Sequence, residues 1–154
     1  MTPAIDRAKK ARIAYTIHEY THDPAAESYG REAADKLGVD PARVFKTLVV
    51  AAGDGLVVAV VPVLHQLDLK QLARVVGAKK AAMADVAMAE RVTGYVVGGV
   101  SPLGQKKRLP TVIDASAQEY PTIYVSAGRR GVEIELSPAD LAALTGAAFA
   151  DVAA

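Results

Sequence analysis

The sequence predicts an α+β domain built on a mixed sheet, on three observations. β-Branched and aromatic runs occur near the start (13–20), as a central pair (45–51 and 56–62) and as a late cluster (111–114, 122–126, 132–136). Capped helical segments fall between these groups without alternating one-for-one with them, so a regular doubly wound fold is excluded. The chain has 154 residues, 51% of them hydrophobic, with no internal repeat and no low-complexity linker. That is enough for one core, and residues 1–154 are expected to form a single domain.

Each element has a local reason. Thr2-Pro3 opens a helix expected to reach about Arg12, with Thr2 as cap and Ile5 and Ala8 inward. Residues 13–20 follow as a strand, on which the two-residue period puts His18 and Tyr20 on one face. Thr21-His22-Asp23-Pro24 breaks it. Ser28 caps a helix over 29–37, which Gly38 stops, and 41–44 adds one further turn. Asp54-Gly55 is the expected turn between strands 45–51 and 56–62. Both strands are apolar nearly throughout, so they should lie centrally with both faces covered. Asp68 caps a helix over 69–76, closed by Gly77, and Asp85 caps another that ends near Thr93-Gly94. Residues 127–131 form a hairpin into strand 132–136. Ser137-Pro138 begins the last helix, and Gly146 ends it.

Composition excludes several functions. There is no cysteine, which removes disulfides, a thiolate nucleophile and thiolate metal sites, and fits a reducing compartment. The net charge is only +1, so nucleic-acid contact must come from a local patch. The N-terminus is unlike a signal peptide, and the longest apolar run, 56–64, is too short to span a bilayer. A cytoplasmic protein is expected, with neither a membrane nor DNA as partner.

The stretch 93–108, TGYVVGGVSPLGQKKR, holds four glycines, one proline and three consecutive basic residues. Such a loop can aim bare N–H groups into a cleft, as an anion or oxyanion site requires. It also fits a tight surface turn with a solvated basic tail. It matches neither the dinucleotide fingerprint nor the phosphate loop of nucleotide hydrolases. Lys46, near the head of an apolar strand, is out of place, though a solvated tip would accommodate it.

Other chemistries fail on spacing. His18 and His22 share no helical face, and no metal site is expected. No Gly-x-Ser-x-Gly elbow occurs. Glu133 and Glu135 share a strand face, and we expect that face to be the solvated side of an edge strand. What remains is backbone donors, one lysine and a few hydroxyls, a set that binds an ester or phosphate but offers no obvious nucleophile.

Four segments carry a resemblance: Phe45-Lys46-Thr47-Leu48, residues 66–70 (QLDLK), residues 94–108 (GYVVGGVSPLGQKKR) and residues 123–126 (IYVS). In this order they resemble the bacterial YbaK/EbsC family, most closely its Cys-tRNA(Pro) deacylase branch, and the likeness runs from Thr2 to about Asp151. It implies a barrel-like mixed sheet flanked by helices, as in the insertion editing domain of prolyl-tRNA synthetases. It also implies an activity, removal in trans of cysteine from mischarged Cys-tRNA(Pro), with Cys-tRNA(Cys) as a further substrate and no cofactor. A hydrophobic synthetic site discriminates poorly between near-isosteres, so a second site must clear the error. In the family mechanism the substrate's own thiol attacks its ester, so the protein need only orient the substrate and stabilise charge.

Carried over residue by residue, the resemblance makes Lys46, Gly98 and Gly99 the catalytic set. Lys46 would serve the terminal-adenosine phosphate or the ester, and the two glycines would supply main-chain donors to the carbonyl oxygen. Tyr20, Tyr29, Thr47, Ser101, Ser126 and Glu133 would form the substrate pocket. Tyr29 stands where relatives often carry phenylalanine, Glu133 where they often carry aspartate, and Ser101 could equally cap its loop. Lys106, Lys107, Arg108, Arg129 and Arg130 are candidates for the tRNA backbone. The implied partners are tRNA and prolyl-tRNA synthetase. An Ala-tRNA(Pro) deacylase, or a non-catalytic module that binds the synthetase or tRNA, would carry the same residues.

Overall fold

The computed structural model describes residues 1–26 and 28–154. Helix starts follow the sequence closely. The side chains of Thr2, Ser28, Asp68 and Ser137 accept the amide N–H groups of Ile5, Arg31, Gln71 and Asp140. They open α1 (Pro3–Ala11), α2 (Tyr29–Leu37), α3 (Leu69–Val76) and α5 (Pro138–Thr145). Each such cap contributes about 1 kcal/mol. The exception is α4 (Val86–Thr93), where Asp85 makes no side-chain cap bond.

The strands form two sheets. In the first, β1 (Tyr15–Glu19), β7 (Val132–Leu136) and β6 (Ile123–Arg129) run in the order β1-β7-β6, antiparallel throughout. The second contains β2 (Phe45–Ala52), β3 (Gly55–Pro62), β4 (Ala81–Met83), β5 (Thr111–Asp114) and β8 (Ala148–Ala150), in the order β4-β2-β3-β5-β8. β3–β5 and β5–β8 are parallel pairs, so the sheet is mixed as expected.

The mixed sheets flanked by helices are those expected, and they do not close into a complete barrel. Among the described residues a single parallel bridge, Val44 to Tyr124, joins the two sheets. On the Thr122 side of this bridge the Arg43 guanidinium donates to Thr122 O, through Nε at 3.1 Å and Nη2 at 2.9 Å.

β2 and β3 are central, as their apolar runs predict. The turn between them sits one residue earlier than expected, because Ala52 pairs with Gly55 and Gly53 supplies the positive φ of +61°. Along β3 the period of two is clean. Val57, Ala59 and Val61 face a cluster with Leu72 of α3, while Val58 and Val60 face the main core. That core includes Ala4 and Ala8 of α1, with Ile5 only partly buried beside them. Ile123, Val125 and Ala127 of β6 and Val132, Ile134 and Leu136 of β7 complete it from the first sheet. Each fully buried side chain of this kind contributes about 1.5–3 kcal/mol.

The opposite face of the first sheet therefore carries Tyr124, Ser126, Glu133 and Glu135. The start of β2 and α2 cover it. β7 is the middle strand of its sheet, so the solvated edge expected for Glu133 and Glu135 is not found. Glu133 is only 6% exposed. Glu135 accepts from His18 Nε2 at 2.9 Å and lies 3.5 Å from Arg43.

Candidate active site

One cavity of about 390 Å³ opens where the two sheets meet. Its back wall is the N-terminal half of β2. β4 pairs only with residues 50–52 of β2, so the strand edge from Phe45 to Thr47 has no ladder partner there. The Val49 carbonyl accepts from Ala84 N–H on that edge at 3.0 Å. Alternation then aims the N–H and C=O of Thr47 the same way, at the cavity. Lys46 and Thr47 line this wall.

α2 forms a second wall with Ser28, Tyr29 and Gly30. A Cβ on Gly30 would lie 2.2 Å from Val63 Cγ1, so only glycine lets the helix start seat this closely. The helix N-terminus brings partial positive charge to the site. Glu32 anchors the segment before the helix. It accepts from His22 Nδ1 at 2.7 Å and from Asp23 N–H at 2.7 Å. Those contacts hold its carboxyl below the usual range against the opposing effect of burial.

The glycine loop supplies the lid. Gly98 lines the cavity with φ +93°, and a Cβ there would lie 2.4 Å from Arg130 Nε and 2.8 Å from Tyr29 Cε2. Tyr20, Ser126 and Glu133 close the floor. Ser126 and Glu133 are cross-strand partners, and the Ser126 hydroxyl accepts from Gly128 N–H at 3.1 Å.

Burial disfavours the charged forms of the cavity's titratable groups. Burial pushes Glu133 from 4.5 up to about 8. Burial, then the Arg31 charge, holds Lys46 below the usual lysine range. Burial, then the Glu133 carboxylate, raises Tyr20 to about 12. The Thr47 hydroxyl is buried with no hydrogen-bond partner among the described residues. An unpaired buried hydroxyl costs about 1–3 kcal/mol, so Thr47 weakens the wall it belongs to.

The structure thus brings Lys46, Thr47, Tyr20, Tyr29, Gly98, Ser126 and Glu133 to one cavity. Other expected residues lie elsewhere. Gly99 is not a free donor: its N–H closes a turn on Val96 O at 2.9 Å, and a Cβ would meet the Arg129 backbone at 2.7 Å. Its glycine is required by that close approach, outside the cavity. Ser101 is fully buried beneath the loop, where its hydroxyl accepts from Leu103 N–H at 3.2 Å. It is a loop cap and not a pocket group. Arg130 is committed to the protein, with its guanidinium 4.0 Å over the Tyr29 ring and donating to Val97 O at 3.0 Å. Lys106, Lys107, Arg108 and Arg129 are exposed and line no part of this cavity.

Sequence reasoning missed Gly30, Arg31 and the wall made by Met83, Ala84 and Val86. A glycine in the first turn of a well-capped helix was the available signal for Gly30. Nothing local marks the others.

Residues 23–144 match the aminoacyl-tRNA editing domain. The chain belongs to that family. This editing domain is 41% identical over 155 aligned residues, 98% of its length and 92% of the relative's, to EbsC of Enterococcus faecalis, which is named as a Cys-tRNA(Pro)/Cys-tRNA(Cys) deacylase. It is 28% identical over 106 residues to a proline–tRNA ligase of Thermoanaerobacter, covering 68% of the editing domain and 19% of the ligase. It superposes on a crystal structure described as a trans-editing enzyme for prolyl-tRNA synthetase with a TM-score of 0.85, at 28% identity, over 100% of this chain and 99% of that one. No helix among its described residues is long and apolar enough to cross a membrane.

Proposed function

We propose that this editing domain acts in trans to remove cysteine from Cys-tRNA(Pro), and from Cys-tRNA(Cys), by letting the substrate's thiol attack its own ester. The observation that carries the reading is the composition of the cavity. Lys46, the Thr47 edge amide and Gly98 meet there with a neutral-leaning carboxyl, and no histidine among the described residues lines it. Among the described residues no imidazole hydrogen-bonds a serine or threonine hydroxyl of the cavity, and the His22 ring, 5.6 Å from that of Tyr29, is held by Glu32. His18 is engaged by Glu135 and His22 by Glu32.

The step balances without a protein nucleophile. The cysteine sulfur bonds to the ester carbonyl carbon, and the carbon–oxygen bond to the tRNA ribose breaks. The thiol proton ends on the ribose oxygen, leaving free tRNA and a cyclic thiolactone that water then opens. The protein supplies position and charge. The Thr47 and Gly98 amides face the developing oxyanion, and the Lys46 ammonium balances oxyanion or phosphate charge. Glu133 and Tyr20 hold the amino-acid end through neutral hydrogen bonds. Exposed Lys106, Lys107, Arg108 and Arg129 serve the tRNA backbone. Likeness to the ligase supports prolyl-tRNA synthetase as a partner and the cytoplasm as the place of action.

The test is a substrate panel of Cys-tRNA(Pro), Cys-tRNA(Cys), Ala-tRNA(Pro) and Pro-tRNA(Pro). Release of cysteine alone is expected. Faster release of alanine would reassign the substrate, and release no faster than in buffer would remove the activity.

A further inference from the structure

Behind the glycine loop runs a second groove of about 400 Å³ that the chemistry above does not use. It is within the size range of small-ligand sites. Its lining is mainly apolar, with Pro3, Tyr95, Val96 and Val97 prominent. The Tyr95 ring lies under Gly128, where a Cβ would sit 2.8 Å from its Cε1.

Val96 is 69% exposed, although its loop is tightly held. Tyr95 Oη donates to Leu103 O at 2.6 Å, Val97 N–H donates to Glu90 Oε2 at 2.8 Å, and Gly99 N–H returns to Val96 O. The anchored turn holds the Val96 side chain in a fixed position on the groove wall.

The rim is cationic. Arg129 lines the groove, 3.9 Å from Glu19, and Lys106 stands beside Gly94 at its end. No carboxylate side chain lines it among the described residues. Val97 lines both this groove and the Lys46 cavity, so the two share a wall. A strand whose charged end enters the cavity passes over that wall directly into the groove.

We propose that this groove binds the nucleotide that precedes the terminal adenosine of the tRNA acceptor end, its base on the exposed Pro3 and Val96 and its phosphate at Arg129 and Lys106. The proposal rests on the deacylase reading for the orientation of the strand. Apolar contact of a base with Pro3 and Val96 is tolerant of sequence and adds local affinity that a net charge of +1 does not provide.

Binding of uncharged ligands tests it without relying on catalysis. The full chain is titrated with the ribotrinucleotide CCA and, separately, with adenosine 5′-monophosphate, followed by NMR. CCA is expected to shift the Val96 methyl and Gly128 amide signals and to bind about tenfold more tightly than the mononucleotide. Val96→Asp and Arg129→Glu should each erase most of that advantage. Equal affinity for the two ligands, or unmoved groove signals, overturns the proposal. Groove signals that move with prolyl-tRNA synthetase and not with CCA also overturn it, in favour of a protein-docking surface. Groove shifts with CCA in a protein that deacylates no charged tRNA would leave the groove standing and remove the deacylase reading.

Discussion

The Arg130 guanidinium lies 4.0 Å above the centroid of the Tyr29 ring and donates to Val97 O at 3.0 Å. One side chain thereby ties the β6–β7 hairpin, the start of α2 and the glycine loop together at the cavity mouth. The tyrosine contributes its ring face to this contact. Tyr29→Phe is therefore expected to keep deacylation within about twofold of wild type, because the ring face survives. Tyr29→Ala should lower stability by about 1 kcal/mol and slow turnover. Arg130→Lys keeps the charge but loses the planar stack, and should behave like Tyr29→Ala. Denaturant melts beside single-turnover deacylation distinguish these outcomes. A Tyr29→Phe variant as slow as Tyr29→Ala would assign the role to the hydroxyl.

Lys46 is disfavoured in its charged form by burial and by Arg31, so its presence opposes folding. Lys46→Met should reduce deacylation by about 100-fold or more without lowering the melting temperature. A clear drop in melting temperature would make the lysine structural.

The Thr47 hydroxyl has no partner among the described residues. Replacing it by an isosteric methyl removes the desolvation penalty. Thr47→Val is expected to raise stability by about 1 kcal/mol and to leave KM unchanged, because the buried hydroxyl is out of reach of a ligand. Loss of stability would show that the hydroxyl is satisfied.

Glu133 sets a pH dependence. Its folded value of about 8 lies above the ordinary 4.5, so its proton release opposes folding. The stabilising contribution is intact below about pH 4.5 and is lost as pH climbs through about 8. Urea melts should show stability falling by on the order of a few kcal/mol across that window. Glu133→Gln should flatten most of that fall. An unchanged slope in the variant would place the titration elsewhere.

Much of the fold is readable locally. Ser28 and Asp68 cap the helices they precede, and the apolar runs of β2 and β3 correctly place those strands at the centre. β4 and β8 were not readable. β4 is Ala-Ala-Met and β8 is Ala-Phe-Ala, with no β-branched residue, and they form by pairing with the edges that β2 and β5 leave open. At the site, Lys46 stood out because a lysine at the head of an apolar strand breaks the pattern. Gly98 and Gly99 looked equivalent in sequence. One lines the cavity and the other lies against the hairpin backbone, a division set by Arg129 and Arg130 some thirty residues away.

By itself the sequence determined the helices, the long strands, the editing-family segments and the lack of any cysteine. Caps, turns and strand periodicity act between residues a few positions apart, so the order of residues encodes them directly. Tertiary structure decided which groups share the cavity, that Glu133 is buried and leans neutral, and that Arg130 is a strap while Arg129 is exposed. Those properties depend on α2 and the start of β2 covering the face of β6 and β7, segments about a hundred residues apart in the chain. Burial, and with it the charge state of a side chain, is set by what packs over it, and no local pattern carries that information.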